Sequence, residues 1–412
     1  MINNDNTSKE NKNNNKRRKR RSSTLTIIFV GFLVVGVFLA LMSMTEDTSE
    51  FGSLPHRVAS TLKDVSGKYM YYDEPEAPQE LDDIWVMYQN LDDADKNVYN
   101  IFIDLVENRT VEDYSNAIVI SEAKMDELGE DHFWNVYYAM CYDHPEYFFL
   151  MSESSAIHCS SLSYDGYITY FFDMETAPSE ADQIVAFEKA SEDFMKDIDL
   201  SMSDEDIELA IHDKLIDLVT YDYDILESDL PENPDNDSEI IWDLGNTAYG
   251  ALVCDSEGRR NHAVCSGYAF AFEYLMHKVG IPCSMVSGSA FCIPASSLDQ
   301  DIHAWNVVNI SGQWFEVDPT WNDNDYDLSE DYEFFSALKN DTEKYNNLRH
   351  HYYNLSTAEI KDLKASDDTL FNVDGYEPYN AVYDSSHVRF DHTTEGCEDI
   401  EIFLNSLVPI AE

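Results

Sequence analysis

Residues 261–321 contain three short blocks of sequence on which the interpretation of the whole chain depends. The blocks are Ala263-Val264-Cys265-Ser266-Gly267-Tyr268-Ala269, His303-Ala304-Trp305-Asn306 and Val317-Asp318-Pro319-Thr320-Trp321. In chain order they supply one cysteine, one histidine and one aspartate. A thiol beside an imidazole that is oriented by a carboxylate is the minimal apparatus for acyl transfer through a thioester. The blocks therefore predict a thiol active site formed by Cys265, His303 and Asp318.

The apolar residues that follow Cys265 predict a helix over 268–279. Phe272, Leu275, Met276 and Val279 recur at helical spacing, and Gly280 with Pro282 is a typical helix end. Cys265 then lies at the helix N-terminus, where unpaired N–H groups and the helix dipole favour a thiolate and can bind an oxyanion. Taken alone, Cys265 is also compatible with a small buried structural residue.

The other two blocks are predicted to form a hairpin. Residues 303–310 and 313–318 have the composition of strands, and Ser311-Gly312 suits a two-residue turn. This register pairs Ile310 with Gln313 and places Trp305 opposite Asp318 and His303 opposite Thr320. His303 and Asp318 then share one face as diagonal neighbours, roughly 7–8 Å apart at the backbone. A three-residue turn would put them on opposite faces.

The three blocks resemble the transglutaminase-like superfamily, in particular its secreted or membrane-anchored bacterial members. The helix that precedes residues 221–224 and the segment 247–252 also resemble that family's core, so the similarity is strong over about 204–335. The segment Asp143-His144-Pro145-Glu146-Tyr147-Phe148 extends it more weakly to about residue 90. The resemblance implies an α+β, papain-like fold in which the helix carrying the nucleophile packs on an antiparallel sheet. It also implies roles: Cys265 as nucleophile, His303 as general base and acid, and Asp318 as the orienting residue.

Several further residues are candidates for the same site or for a metal. The backbone N–H of Cys265 is the expected oxyanion donor, with Tyr249 or Asn246 as its partner. Trp305 and Trp321 either line the substrate cleft or pack in the core. His262 is either a second base or a loop residue, and His350-His351 are either metal ligands or a structural cluster. The acids at 323–327 alternate as calcium ligands would, but they lack the glycine of an EF-hand loop.

Composition limits the class of protein. The hydrophobic fraction of 44% is sufficient for a folded core, and the net charge is −54. So acidic a chain repels nucleic acid, and we expect no nucleic-acid partner. The acid excess indicates either a solvated surface or a surface for cationic partners or calcium. No CxxC, HExxH or phosphate-binding glycine loop is present in the sequence, and no cofactor is expected.

The N-terminal part predicts a membrane anchor. Residues 1–24 read as a basic disordered tail that holds eight of the 26 lysines and arginines, and residues 25–44 carry no charge. Twenty apolar residues span roughly 30 Å, the thickness of a bilayer's hydrocarbon core, and the positive-inside rule leaves the tail in the cytoplasm. A cleaved signal peptide is the alternative, although the apolar run is long for one. Either way, the globular part is expected outside the cell.

The remaining chain divides into four predicted regions. Residues 45–80 are expected to be an extracellular linker, 81–175 an N-terminal α/β region, 176–345 the catalytic core and 346–412 a C-terminal extension. Within them the patterns predict helices over 93–107, 130–142, 179–197 and 400–407, a helix capped by Ser203, a hairpin turn at 164–167, and a strand at 332–335.

Seven cysteines are an odd number for a protein outside the cell. Setting Cys265 aside leaves six, which could form up to three disulfides. Cys141 with Cys159 and Cys283 with Cys292 are the local candidates. The alternative is that some of these thiols stay reduced.

These features predict a membrane-anchored extracellular thiol enzyme that acts on amide bonds of proteins or peptides, with cell-wall peptides as one candidate substrate. The acyl acceptor, an amine or water, is not determined by the three residues, because cleft hydration and access select it. A different class of function is also open. The same fold could serve as a non-catalytic surface or envelope-assembly binding module.

Overall fold

The computed structural model describes residues 69–108, 117–151, 155–222, 244–253, 261–290, 302–323, 338–363, 387–394 and 399–412. All of them belong to one compact unit, Leu62–Glu412. Among these residues, no helix combines the length and the apolar character needed to cross a membrane. The predicted tail, the predicted span at 25–44, most of the predicted linker and the predicted strand at 332–335 lie outside the described residues.

The first sheet belongs to the N-terminal part of the described chain. Its strands are β1 (Tyr69–Tyr71), β2 (Ala117–Ser121), β3 (Ala156–Tyr164) and β4 (Tyr167–Glu175), in the order β1-β2-β4-β3. β1 runs parallel to β2, and the other neighbours are antiparallel. Asp165 and Gly166 form the predicted hairpin turn between β3 and β4, both with positive φ (53° and 79°).

Helices α1 (Val86–Asn90), α2 (Asp93–Asn108), α3 (Glu122–Leu128), α4 (His132–Asp143) and α5 (Phe148–Met151) accompany this sheet, with a 3₁₀ turn at Pro145–Tyr147. Asp143, at the end of α4, is fully buried and accepts hydrogen bonds from the backbone N–H groups of Met87 (2.9 Å) and Tyr88 (2.8 Å) and from the Tyr99 hydroxyl (3.1 Å). The first residue of the Asp143–Phe148 segment therefore ties α1 and α2 to the end of α4.

Two longer helices and a short ribbon lead to the central stretch. α6 (Glu180–Met195) precedes α7 (Asp204–Leu218), and Ser203 caps α7 as predicted by accepting from the Asp206 N–H (3.3 Å). Strands β5 (Val219–Tyr221) and β6 (Asn261–Ala263) pair in parallel, and α8 (Ala248–Leu252) lies between them in the sequence. The interpretation of His262 as a loop residue was wrong, because parallel pairing between distant segments has no local sequence signal.

The second sheet and the helix packed against it contain the predicted site. The helix is α9 (Cys265–Lys278), and the strands are β7 (Cys283–Ala290), β8 (Ile302–Ile310), β9 (Gln313–Val317) and β10 (His387–Arg389). Their order is β10-β7-β8-β9, all antiparallel. The described chain then contains α10 (Pro319–Asn322), α11 (Thr342–Arg349), α12 (Thr357–Asp362) and α13 (Asp399–Ser406), and α13 is the predicted closing helix.

One hydrophobic core joins these elements. It includes Phe102 and Phe172 from the N-terminal part, Phe272 of α9 and Trp305 of β8, all buried. The boundaries proposed at 175/176 and 345/346 stay predictions.

Gly288 of β7 makes room for the Trp305 indole, because a Cβ there would lie 2.5 Å from the indole Cη2 and would also overlap the carbonyl oxygen of Val388. The packing of the Trp305 indole against β7 and the close approach of the Val388 carbonyl therefore need glycine at 288.

The predicted local disulfides are not formed. Cys141, Cys159 and Cys283 all carry free thiols. Cys141 faces the core from α4, whereas Cys159 is exposed on β3, so the two cysteines present their side chains to different environments. Cys283 is buried in β7, and Cys292, its proposed partner, lies outside the described residues.

Glu273 of α9 gives a stability prediction. Its side chain is fully buried and its Oε2 accepts from the Met285 N–H at 2.8 Å. Burial, together with the charge of Asp143, raises the pKa of Glu273 well above its usual value. Because the pKa of Glu273 is raised in the folded state, its carboxyl group stabilises the fold below the pKa of the unfolded state, near 4.3. This stabilisation is lost as the pH rises towards the pKa of the folded state.

We therefore expect Glu273→Gln, which cannot ionise, to match the wild type most closely at about pH 4 and to exceed its unfolding free energy by on the order of 2 kcal/mol at pH 8. Urea unfolding at the two pH values measures this. The reverse order, with the wild type more stable at pH 8, would show that the buried carboxylate is ionised.

Candidate active site

The hairpin that carries two of the predicted site residues has the predicted register. Ser311 and Gly312 form a two-residue turn with φ of 55° and 87°, and Ile310 pairs with Gln313. The last pair of the hairpin is Asn306 with Val317, so the pairing stops one residue before the expected pair of Trp305 with Asp318. The placement of Thr320 opposite His303 was wrong, because Pro319 starts α10 directly after Asp318.

His303 and Asp318 are in contact. His303 Nε2 lies 2.8 Å from Asp318 Oδ2, and the two residues are 6% and 0% exposed. Asp318 is also the N-cap of α10, where its Oδ1 accepts from the Trp321 N–H at 3.1 Å. The cap fixes the carboxylate so that its second oxygen faces the imidazole.

Cys265 is the first residue of α9, as predicted, and the His303 side chain and the backbone N–H of Ala304 are close enough to its thiol to lower the thiol pKa. Since Asp318 occupies Nε2 of His303, Nδ1 is the ring nitrogen that is left to interact with the sulfur. The structure thus brings Cys265, His303 and Asp318 together, in the order thiol, imidazole and carboxylate.

Local packing explains why α9 begins where it does. Val264 is extended, and its N–H donates to the carbonyl of Gly245 at 3.1 Å. A Cβ at Gly267 would lie 2.6 Å from that same carbonyl oxygen, so glycine admits the neighbouring chain against the first turn. At the facing strand, the Asn306 side chain donates to the Ala269 carbonyl at 2.9 Å and ties β8 to α9. These contacts hold the thiol beside the imidazole.

The electrostatics favour an ion pair at the site. Burial alone would raise the pKa of the Cys265 thiol, but the hydrogen bond and charge of His303, with the Ala304 N–H, outweigh it and lower the pKa. Burial alone would lower the pKa of His303, but Asp318 and Cys265 raise it to about 10. Burial opposes ionisation of Asp318, yet His303 and His387 hold the pKa of its carboxyl below the ordinary value. Both shifts favour a thiolate facing an imidazolium over the neutral pair.

The two candidate oxyanion partners lie in different surroundings. Asn246 is beside the start of α9, where its Oδ1 accepts from the Ser266 hydroxyl at 3.2 Å. Tyr249 lies in α8 with its ring 4.9 Å from Phe148, in an aromatic cluster. The structure thus brings Asn246 next to the residue that follows Cys265, whereas the described contacts of Tyr249 are with the core.

The two tryptophans also differ. Trp305 is fully buried, with its ring 6.0 Å from that of His303 and its Nε1–H donated to Glu316. Trp321 is partly exposed, and its ring lies 5.5 Å from His303. Trp305 packs beneath the imidazole, and Trp321 is the one of the two that can contact a bound substrate.

The remaining candidates have other partners. His350 Nε2 contacts Asp213 Oδ1 at 2.7 Å, and His212 Nδ1 contacts the same oxygen at 3.0 Å. Asp323 accepts from the Tyr268 hydroxyl at 2.6 Å, and 324–327 lie outside the described residues. His262 is 3.9 Å from Asp222.

Within the described part of the chain, two groups have a donor spacing that a metal ion could use: His212, Asp213 and His350, and His303, Asp318 and His387. In both, short hydrogen bonds already join the donor atoms.

His387 is the residue that sequence reasoning missed. Its Nε2 lies 2.8 Å from Asp318 Oδ2, and its ring is 5.5 Å from that of His303. It enters the site from β10, which pairs with β7 at the far edge of the sheet from β9. The run His387-Val388-Arg389-Phe390 is strand-like, but nothing local indicates that its first residue meets a carboxylate 69 positions earlier.

Comparison with known proteins agrees with the assignment of the central region. Residues 200–319 match the transglutaminase-like superfamily. Comparison with curated proteins found no significant match.

Solved structures are similar to this chain only in part. A TGase shares 14% identity over 54% of this chain and 55% of that chain, with a TM-score of 0.26. A protein from Cytophaga hutchinsonii provisionally named a cysteine protease shares 18% identity over 42% of this chain and 68% of that chain, with a TM-score of 0.21. A provisionally named protease from Parabacteroides distasonis shares 10% identity over 48% of this chain and 39% of that chain, with a TM-score of 0.18. The chain spans just over half of the first of these, and such TM-scores do not establish a shared fold over the whole chain. The family assignment therefore rests on the match at 200–319, the part of the chain that is similar to the transglutaminase-like superfamily.

Proposed function

We propose that this protein is a thiol enzyme that breaks amide bonds of proteins or peptides through a thioester on Cys265. The observation that carries the proposal is the placement of the Cys265 thiol, at the start of α9, beside the His303 imidazole that Asp318 holds by a hydrogen bond. A buried imidazolium beside a thiolate is what nucleophilic attack on an amide carbonyl requires.

In the first half-reaction, the Cys265 sulfur attacks the carbonyl carbon and forms a C–S bond. The carbonyl oxygen becomes an oxyanion at the N-terminus of α9, where first-turn N–H groups have no intrahelical acceptor. His303 then gives its Nδ1 proton to the departing nitrogen. The C–N bond breaks, an amine or ammonia leaves, and a thioester remains on Cys265.

In the second half-reaction, an acceptor attacks the thioester and His303 Nδ1 takes the acceptor's proton. The C–S bond breaks and the thiolate is restored. Water as acceptor gives hydrolysis, whereas a primary amine gives a new amide. We favour hydrolysis of proteins or cell-wall peptides, on the resemblance to bacterial members of the superfamily.

We also propose that residues 25–44 anchor the chain in the membrane with the globular part outside the cell. The support for this is the uncharged stretch of 20 residues and the basic residues that precede it. Free thiols at Cys141, Cys159 and Cys283 are compatible with a site that works only while Cys265 stays reduced.

The test is incubation of the full-length chain with a library of glutamine-containing peptides, with and without a biotinylated primary amine, followed by mass spectrometry. Hydrolysis predicts new peptide N-termini or conversion of glutamine to glutamate, and transfer predicts amine incorporation with release of ammonia. Cys265→Ala should abolish either product, whereas Cys159→Ala, which removes an exposed thiol on β3, should not. Activity that survives Cys265→Ala, or no product with the wild type, would overturn the proposal.

A further inference from the structure

A fourth side chain reaches the Cys265 site from the chain beyond the family match, which ends at residue 319. His387 is 1% exposed, and its Nε2 lies 2.8 Å from Asp318 Oδ2. The same oxygen lies 2.8 Å from His303 Nε2. A carboxylate oxygen has two lone pairs, so it can accept both N–H groups at once.

The hydrogen bonding of His387 indicates a neutral ring. Its Nδ1 is buried and has no hydrogen-bond partner among the described residues, so only Nε2 carries a hydrogen. Burial lowers the pKa of His387, and this outweighs the opposing effect of Asp318. His387 therefore donates to Asp318 without competing with His303 for the positive charge.

Aromatic rings enclose His387 on several sides. Ring centroids of Trp305 and Trp321 lie 5.0 Å from it, and that of Tyr352 lies 5.2 Å away. Because water is excluded there, the attraction between His303 and Asp318 acts at a low local dielectric and is stronger than it would be in solvent.

A second pair of residues holds β10 in this position. Arg389 shares a face of β10 with His387, and its Nη2 lies 2.6 Å from Glu316 Oε1, with both side chains buried. Glu316 is two residues before Asp318, so two contacts join the far edge strand to the β9 side. β10 and β9 are three strand spacings apart in the sheet, which is about 14 Å if the sheet is flat. The sheet must therefore curl for these two side-chain contacts to form.

We propose that His387 is a positioning residue that holds the Asp318 carboxylate against His303, and that the segment around β10 is therefore part of the active site. This rests on the proposed function of Cys265. Without the His387 N–H, Asp318 keeps the Trp321 N–H on Oδ1 but loses one of the two side-chain donors that fix Oδ2.

The test compares His387→Ala with His387→Gln in the full-length chain. The Gln amide nitrogen lies near the position of His Nε2 and can donate to Asp318. We expect His387→Ala to lower kcat by about 10- to 100-fold, as for other residues that orient a reacting group through a hydrogen bond, with KM changed less than about twofold. It should also shift alkylation of Cys265 to higher pH, and His387→Gln should restore most of both.

His277→Ala is the matched control. His277 is another buried histidine with one partner, the Cys283 carbonyl at 2.9 Å, and an Nδ1 without a partner among the described residues. It lies 12 residues after Cys265, about 18 Å along α9. We expect it to leave both readouts unchanged.

A wild-type kcat and alkylation profile in His387→Ala would overturn the proposal. So would equal losses of activity and melting temperature in the Ala and Gln variants, which would show a structural role. The alkylation measurement needs no substrate, so it separates the two proposals. A shifted profile in His387→Ala, with no amide-bond activity in the wild type, would support the positioning role and refute the function.

Discussion

Asp318→Asn is expected to lower turnover by about 10⁴-fold while the protein stays folded. The asparagine can still cap α10, because its side-chain oxygen can accept the Trp321 N–H that Asp318 Oδ1 accepts. Its amide nitrogen would then face His303 Nε2, which now has to accept rather than donate. The hydrogen of the imidazole moves to Nδ1, so the nitrogen that faces Cys265 can no longer take a proton from the thiol.

Peptide turnover and thermal unfolding together test this expectation. Asp341→Asn is a matched control, since Asp341 caps α11 by accepting from the Lys344 N–H at 3.4 Å. That variant should retain wild-type turnover. Less than tenfold loss in Asp318→Asn, with the melting temperature unchanged, would show that Asp318 does not set the tautomer of His303.

His303→Ala is expected to have an effect at least as large, about 10⁴-fold or more on turnover. Removal of the imidazole removes both the proton carrier and the positive charge that lowers the pKa of Cys265. What remains at the thiol is burial and the charge of Asp318, which both raise its pKa, and the Ala304 N–H, which lowers it. The variant should therefore lose thiolate at neutral pH as well as turnover.

Local sequence determined the parts of the site that depend on short-range rules. Ser311-Gly312 can adopt positive φ at both positions, which allows a two-residue turn and puts His303 and Asp318 on one side of the hairpin. The helical spacing after Cys265, with Gly280 at its end, places the thiol at the first residue of α9. The resemblance to the transglutaminase-like superfamily then linked these two elements.

The parts that were missed depend on contacts between distant segments. His387 meets Asp318 only because the sheet curls and β10 adds to its far edge. The parallel pairing of β5 with β6 brings together residues about 40 positions apart. Pairing Cys141 with Cys159 from their nearness in sequence was wrong, because one thiol is directed into the core and the other to the surface. Periodicity and turn chemistry carry no information about such contacts.

The charge of the ion pair offers the most direct test of the central claim, that Cys265 is an activated nucleophile. The measurement is the rate of iodoacetamide alkylation of each cysteine against pH, followed by peptide mass spectrometry, in the wild type and His303→Ala. Cys159 is an internal reference in the same sample, since partial desolvation and the charge of Asp173 raise the pKa of its thiol to about 11.

We predict that alkylation of Cys265 in the wild type stays fast to lower pH than that of an ordinary thiol, whose pKa is near 8.5. In His303→Ala the rate should fall about tenfold for each pH unit below the raised pKa. A wild-type Cys265 that titrates like an ordinary thiol, with a profile that His303→Ala does not change, would contradict the account.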